Sequence, residues 1–412
     1  MKKLLLGTLC VMLAGTLVWA TAAKKKKQPP AQRVTAAQQA AAREEIARRM
    51  AAAGPAFENP EALEPFYKSL ASGPVHILQF GDSHTASDDW VNAMRTLLQL
   101  KFGDGGPGFV QAGRPFKGYR RFDAKASASL GWRTEGTISL RGDPDQGLSG
   151  ISISASTPNQ TIGLTASGEA LSIFFLTQPG GGRLELTVDG RSMGTFTTDG
   201  PPGPGVSTYA LLPGSHDLSL RTLDRAPVRL FGWTLDNQTG VTFEPLGING
   251  AQAHVMLSWD ETIWAAEVAD RNPALVILAY GTNEANSHLW TLQDYRADMT
   301  ALIARVRRAA PDAAILMIGP PDCGKLHPLL HLSEVVAAQR AIAREQNVAF
   351  FDLRRHQGGA GAVKLWVTAG YGQADYIHLT GEGYRLVGET LVNALLVNAL
   401  LERQNEQARK NY

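Results

Sequence analysis

The chain has 412 residues, 44% of them hydrophobic and 19% charged, with a formal net charge of +2. That length can bury a sizeable core and leaves room for two domains. The near-neutral balance gives no electrostatic basis for nucleic-acid binding, and the one dense basic run, Lys24 to Lys27, reads as a solvated linker or a contact for an anionic envelope surface.

The first residues predict an export signal. Met1-Lys2-Lys3 is a short positive region, Leu4 to Trp19 is apolar, and Ala20-Thr21-Ala22 offers small residues for cleavage. The apolar stretch is short for a span, which favours cleavage over an uncleaved anchor. Cys10 has no lipobox before it. Removal of residues 1–22 leaves Cys323 as the only cysteine, so no intramolecular disulfide is possible. Cys323 follows Gly319-Pro320-Pro321-Asp322 and reads as a packed or semi-exposed thiol rather than a nucleophile.

Residues 23–40 are assigned to a disordered linker for their Lys, Pro and Gln content, although Thr35 to Ala52 carries an Ala-rich helical pattern with Thr35 as a possible cap. Val75 to Phe80 is the first core strand and Trp90 to Leu100 a helix. From Lys117 to Phe243 the texture changes to short alternating runs, such as Leu171 to Leu176, Arg183 to Val188 and Val228 to Leu235, separated by Gly- and Pro-rich breakers. That pattern predicts an all-β sandwich over 117–243.

Beyond Glu244 strands and helices alternate again. Ala274 to Ala279, Ala314 to Ile318 and Val348 to Asp352 read as strands. Leu292 to Arg308, Val335 to Gln346 and Gly381 to Leu401 read as helices, with a polar, frayed tail from Glu402. Continuous apolar strands between amphipathic helices mean a parallel sheet covered on both faces. One α/β domain, 41–116 and 244–412, is therefore expected to be interrupted by the β insert.

Four blocks carry chemistry. Gly81-Asp82-Ser83-His84 ends the first strand, where open α/β sheets build their sites. Gly247-Ile248-Asn249-Gly250-Ala251 follows the insert. Gly281-Thr282-Asn283-Glu284 follows the strand ending at Tyr280, and Asp375-Tyr376-Ile377-His378 precedes the last helix. Together they suit acyl transfer. A serine hydroxyl needs a base, which His378 supplies near neutral pH; Asp375 can hold the ring tautomer. The backbone N–H groups of Ser83 and Gly250 and the side-chain amide of Asn283 are the oxyanion donors. A glycine at 250 lets the backbone approach substrate without a Cβ.

The order Ser, Gly, Asn, Asp-His resembles the SGNH (GDSL-like) hydrolases over residues 70–115 and 244–400. The resemblance implies a flavodoxin-like parallel sheet, Ser83 as nucleophile, Gly250 and Asn283 as oxyanion donors, and Asp375 with His378 as the rest of the triad. The family's second block reads Asn-x-Gly-x-x-Gly, whereas Pro245 stands first here, so Gly247 stays open beside Gly250. Within the family, Gly-Asp-Ser-His, the stretch Phe102 to Phe109 and a β insert between the first two blocks resemble the peptidoglycan O-acetylesterases. That likeness implies an exported, periplasmic or envelope enzyme without metal or cofactor. The insert would be a jelly-roll-like, carbohydrate-binding module. The partner would be O-acetylated peptidoglycan or a related acetylated glycan, deacetylated at the C6 hydroxyl of N-acetylmuramic acid.

Other readings stay open on the residues alone. An O-acetyltransferase uses the same constellation, a catalytically silent carbohydrate-binding envelope protein needs none of it, and a lipid esterase lacks an evident apolar lid. His84 is read as a capping or structural residue, with the acyl pocket as its alternative. Trp132, Trp233 and Trp259 are read as core before sugar platform. Glu284 is either a partner of the site or a solvated charge. His254, His327 and His331 show no ligand pattern.

Overall fold

Five parallel strands form the centre of the molecule, in the spatial order Ala349–Phe351, Ala314–Ile318, Leu275–Ala279, Val75–Gly81 and Val241–Gly247, and Phe57–Glu58 adds an antiparallel edge. The computed structural model describes residues 34–410 apart from 55–56, 72, 137–142, 290 and 325–328; the side chains of 401–410 also lie outside the description. The expected signal, Cys10, Lys24 to Lys27 and His327 therefore lie outside the described residues. No described helix is long and apolar enough to cross a membrane.

The apolar runs are explained by burial on both faces. Leu78, Phe80, Val276, Leu278, Ile315 and Met317 face one core, while their neighbours Ile77, Leu275, Ile277, Ala314, Leu316 and Phe351 face the other. Alternate residues of the central strands thus face different apolar partners.

The antiparallel part forms two sheets. One runs Arg191–Thr197, Arg183–Val188, Ser215–Thr222, Thr161–Ser167, Lys125–Ala128. The other runs Gly203–Ala210, Ala170–Thr177, Val228–Asp236, Ile151–Ala155, Arg133–Gly136, with Gly108–Gln111 paired to Val228–Asp236. Their shared core holds Val110, Ile153, Leu164, Leu186, Leu220 and Trp233. The outer face of the second sheet packs Phe109, Phe174 and Phe231 into the same core as Ile263 and Trp264. Ala36–Tyr412 is accordingly one compact unit.

Several boundaries differ from the sequence reading. Helix Ala36–Ala51 takes residues 36–40 out of the expected linker. Pairing within the two antiparallel sheets starts at Gly108 rather than 117, because Gly108–Gln111 finds its partner at Gly232–Leu235. Parallel pairing resumes at Val241, ahead of 244. The last helix runs Gly381–Lys410, beyond the expected end at Leu401.

Candidate active site

The first strand delivers Ser83 to the carboxyl edge of the sheet through a tight turn. A Cβ at Gly81 would lie 2.2 Å from Thr85 Oγ1 and 2.8 Å from the Ala279 carbonyl, so only glycine allows this approach. Buried Asp82 caps the Ser83–Ala86 turn, accepting the His84 N–H at 2.9 Å. Gln79, wholly buried in the strand, donates to Thr85 Oγ1 at 3.0 Å and pins the turn from below.

The far end of the chain meets this turn. Ser83 Oγ is 2.9 Å from His378 Nε2, and His378 Nδ1 is 2.8 Å from Asp375 Oδ2. A carboxylate at Nδ1 holds the proton there, which leaves the Nε2 lone pair to accept from the serine hydroxyl. Burial tends to raise the Asp375 pKa. Hydrogen bonds from the His378 ring and from the Ile377 and His378 N–H groups outweigh it and hold the carboxyl below its ordinary value. The loop is built for this return: Tyr376 sits at φ 60°, and Gln373 takes the His378 carbonyl through its N–H and the Leu379 carbonyl through its amide. The Asp375 and His378 side chains stay 43% and 32% exposed, open to a substrate.

The two middle blocks are tied to each other. Asn283 Nδ2 donates to the Ala251 carbonyl at 2.9 Å, Gln252 Nε2 donates to the Asn283 carbonyl at 3.2 Å, and the Ala253 N–H donates to Glu284 Oε1 at 2.8 Å. Glu284 is therefore a buried strut between the blocks rather than a solvated charge, and burial pushes its pKa up to about 7. The two candidate glycines also part company. A Cβ on Gly247 would lie 2.2 Å from the Ala86 nitrogen, so that glycine serves close packing on the Ser83–Ala86 turn. Gly250 is exposed, at φ 78°, with open space around it. The Ser83 and Gly250 N–H groups have no acceptor among the described residues.

Other sequence candidates fall elsewhere. His84 is 4% exposed, and its ring lies 5.3 Å from that of His378. Trp233 and Trp259 are buried and Trp132 is half-buried, donating to the Thr161 carbonyl, so these three form no exposed platform. Cys323 is buried, which pushes its thiol up to about 12. No cluster of three or more metal-ligating side chains occurs among the described residues. Sequence reasoning missed Gln79, Gln252, Gln373 and Tyr384; their spacing from the motifs carries no local signal.

Residues 203–386 match the model of the GDSL-like Lipase/Acylhydrolase family, a span that contains Gly250, Asn283, Asp375 and His378. A solved structure described as "Peptidoglycan O-acetylesterase in action, 5 min" is similar at 29% identity and a TM-score of 0.71, covering 81% of this chain and 96% of that one. Over residues 203–386 the chain is similar to the GDSL-like lipase/acylhydrolase (SGNH) family. Ser83 lies outside the span that this family's model matches, upstream of the antiparallel part, yet the fold brings it to His378. A family two carbohydrate esterase from Clostridium thermocellum in complex with cellohexaose is similar at 14% identity and a TM-score of 0.28, over 64% of this chain and 97% of that one. Another, from Cellvibrio japonicus, reaches 11% identity and 0.29, over 67% and 98%. No curated protein matches the chain.

Proposed function

We propose that this protein is an exported serine esterase that removes O-acetyl groups from cell-wall polysaccharide, with the C6 hydroxyl of N-acetylmuramic acid in peptidoglycan as the position deacetylated. The observation that carries the reading is the unbroken path from Ser83 Oγ through His378 to Asp375, with steps of 2.9 and 2.8 Å. The 29% identical peptidoglycan O-acetylesterase structure supports the choice of substrate, and the pattern of Met1 to Ala22 supports export.

In this reading Ser83 Oγ attacks the acetyl carbonyl while its proton passes to His378 Nε2. The Ser83 and Gly250 N–H groups and the Asn283 amide meet the oxyanion. The intermediate collapses as His378 returns the proton to the departing sugar oxygen, leaving acetyl-Ser83. Water then attacks that ester, giving its proton to His378, and acetate leaves as serine regains its hydrogen. Asp375 keeps the ring oriented and stabilises its charged form. The jelly-roll-like segment 117–243 would hold the glycan rather than cut it.

The test is covalent. A serine-directed phosphonate should label the peptide carrying Ser83 and abolish turnover of an aryl acetate in step. Turnover that persists with Ser83 fully labelled overturns the reading.

A further inference from the structure

Beside the catalytic loop, the helices Asp89–Phe102 and Gly381–Lys410 part to leave a cleft of about 330 Å³ with Phe122 on its wall. The helices touch where Gly388 lies; a Cβ there would meet the Trp90 carbonyl at 2.7 Å and Ala93 at 2.8 Å. Toward the start of Gly381–Lys410 the packing opens. Ala93 and Gly381 both line the cleft, and a Cβ on Gly381 would touch only Asp89 Oδ1, at 3.5 Å.

The cleft is lined by the elements that directly follow the Ser83 turn and the His378 loop. Its Asp89 begins the helix that follows the Ser83 turn, and its Gly381 follows His378 after Leu379 and Thr380. Arg120 joins the two regions: its Nε donates to the Ser87 carbonyl at 3.0 Å, and its guanidinium pairs with Asp89. That guanidinium also lies 4.9 Å over the Phe122 ring, while the Phe122 N–H donates to buried Asp88 at 2.9 Å. Phe122 is therefore a fixed aromatic face that is still 53% exposed.

An amphipathic ligand fits this lining. An aromatic face suits the C–H face of a pyranose, and Asp89, Asn92 and Arg385 offer acceptor and donor groups for its hydroxyl and acetamido substituents. We propose that the cleft is a second sugar subsite, holding an N-acetylhexosamine of the same glycan strand as the unit whose ester reaches Ser83. The proposal rests on the esterase reading above.

The test compares wild type, Phe122→Ala and Phe122→Trp on O-acetylated chitotetraose and on 4-nitrophenyl acetate. Phe122→Ala should lower kcat/KM for the oligosaccharide about tenfold relative to the aryl ester, mainly through KM, and Phe122→Trp should restore it. Equal factors on both substrates, or an unchanged oligosaccharide value, overturn the subsite. If wild type cleaves neither ester, the esterase reading has failed. Calorimetric titration with unacetylated chitotetraose then decides the cleft alone: binding weakened about tenfold by Phe122→Ala supports it, and no binding or unaltered binding overturns it.

Discussion

His84 Nδ1 lies 2.8 Å from the Tyr384 hydroxyl, joining the residue after Ser83 to the helix that follows His378. The His84 ring also sits 5.3 Å from that of His378, tilted by 40°. Burial lowers the His84 pKa, which keeps a neutral ring under His378. The pair is thus a staple that fixes the separation of Ser83 and His378 from beneath.

Removing the staple should loosen the site without removing a reacting group. Tyr384→Phe leaves Nδ1 buried without its partner, at a cost of roughly 1–3 kcal/mol in stability. It should lower kcat about tenfold with little change in KM, because a small error in alignment acts on the transition state. Urea unfolding and steady-state kinetics on one preparation check both; an unaltered kcat would make the pair purely structural.

Asp375→Asn should be milder than His378→Ala. Asparagine can still accept the Ile377 and His378 N–H groups, which both go to Oδ1, but it offers no carboxylate to Nδ1. A kcat loss on the order of 10²–10³ is expected for Asp375→Asn, against a larger one for His378→Ala. The depressed Asp375 pKa means that this carboxylate stays ionised above its ordinary value of 3.8, and its stabilising effect is lost only as the pH falls below that. Full activity of Asp375→Asn would remove it from the site.

The two glycines of the second block should separate cleanly. Gly247→Ala drives a Cβ into the Ala86 backbone and should cost much of the protein's stability. Gly250→Ala meets no atom, but at φ 78° it carries a strain of roughly 1–2 kcal/mol. It should keep the fold and lower kcat about tenfold by disturbing a donor. Melting curves beside aryl acetate kinetics distinguish the two, and unaltered kinetics in Gly250→Ala would contradict the assignment of its N–H.

Glu267 should add to the pH dependence of stability, alongside Glu284. It is buried where the helix Glu261–Arg271 meets the loop at Leu148, whose N–H it accepts at 2.8 Å. Burial raises its pKa from 4.5 to about 8. Between these values the folded chain holds a proton that the unfolded chain has lost, so stability falls as the pH rises, by up to about 1.4 kcal/mol per unit. Urea midpoints at pH 5 and pH 8 should show a steeper loss in wild type than in Glu267→Gln; parallel losses would contradict it.

The parallel sheet was legible because its strands are buried on both faces. Val276 to Ala279 has no polar alternation to confuse with another element. The motif residues were legible for a related reason: strand ends place Ser83 and Asn283, and a three-residue spacing folds Asp375 onto His378. The boundaries of the antiparallel part were less so. Gly108–Gln111 depends on a partner far along the chain, and Val228–Asp236 has a register shift between Leu230 and Gly232 that turns Phe231 toward the α/β core. Tyr384 acts through a contact whose partner is distant in sequence, so composition and spacing could not reveal it; Glu284 was offered by its block, but its burial rests on a partner 31 residues away. The aromatic face beside the site, Phe122, lies in a segment without periodicity, while the more conspicuous Trp233 and Trp259 are core.

The most direct test of the central claim is acetate release from O-acetylated peptidoglycan by wild type and Ser83→Ala side by side. The account predicts release by wild type and none above background by a folded Ser83→Ala. Equal release by both, or none by a wild type that still turns over aryl acetate, would contradict it, the first for the serine and the second for the polymer.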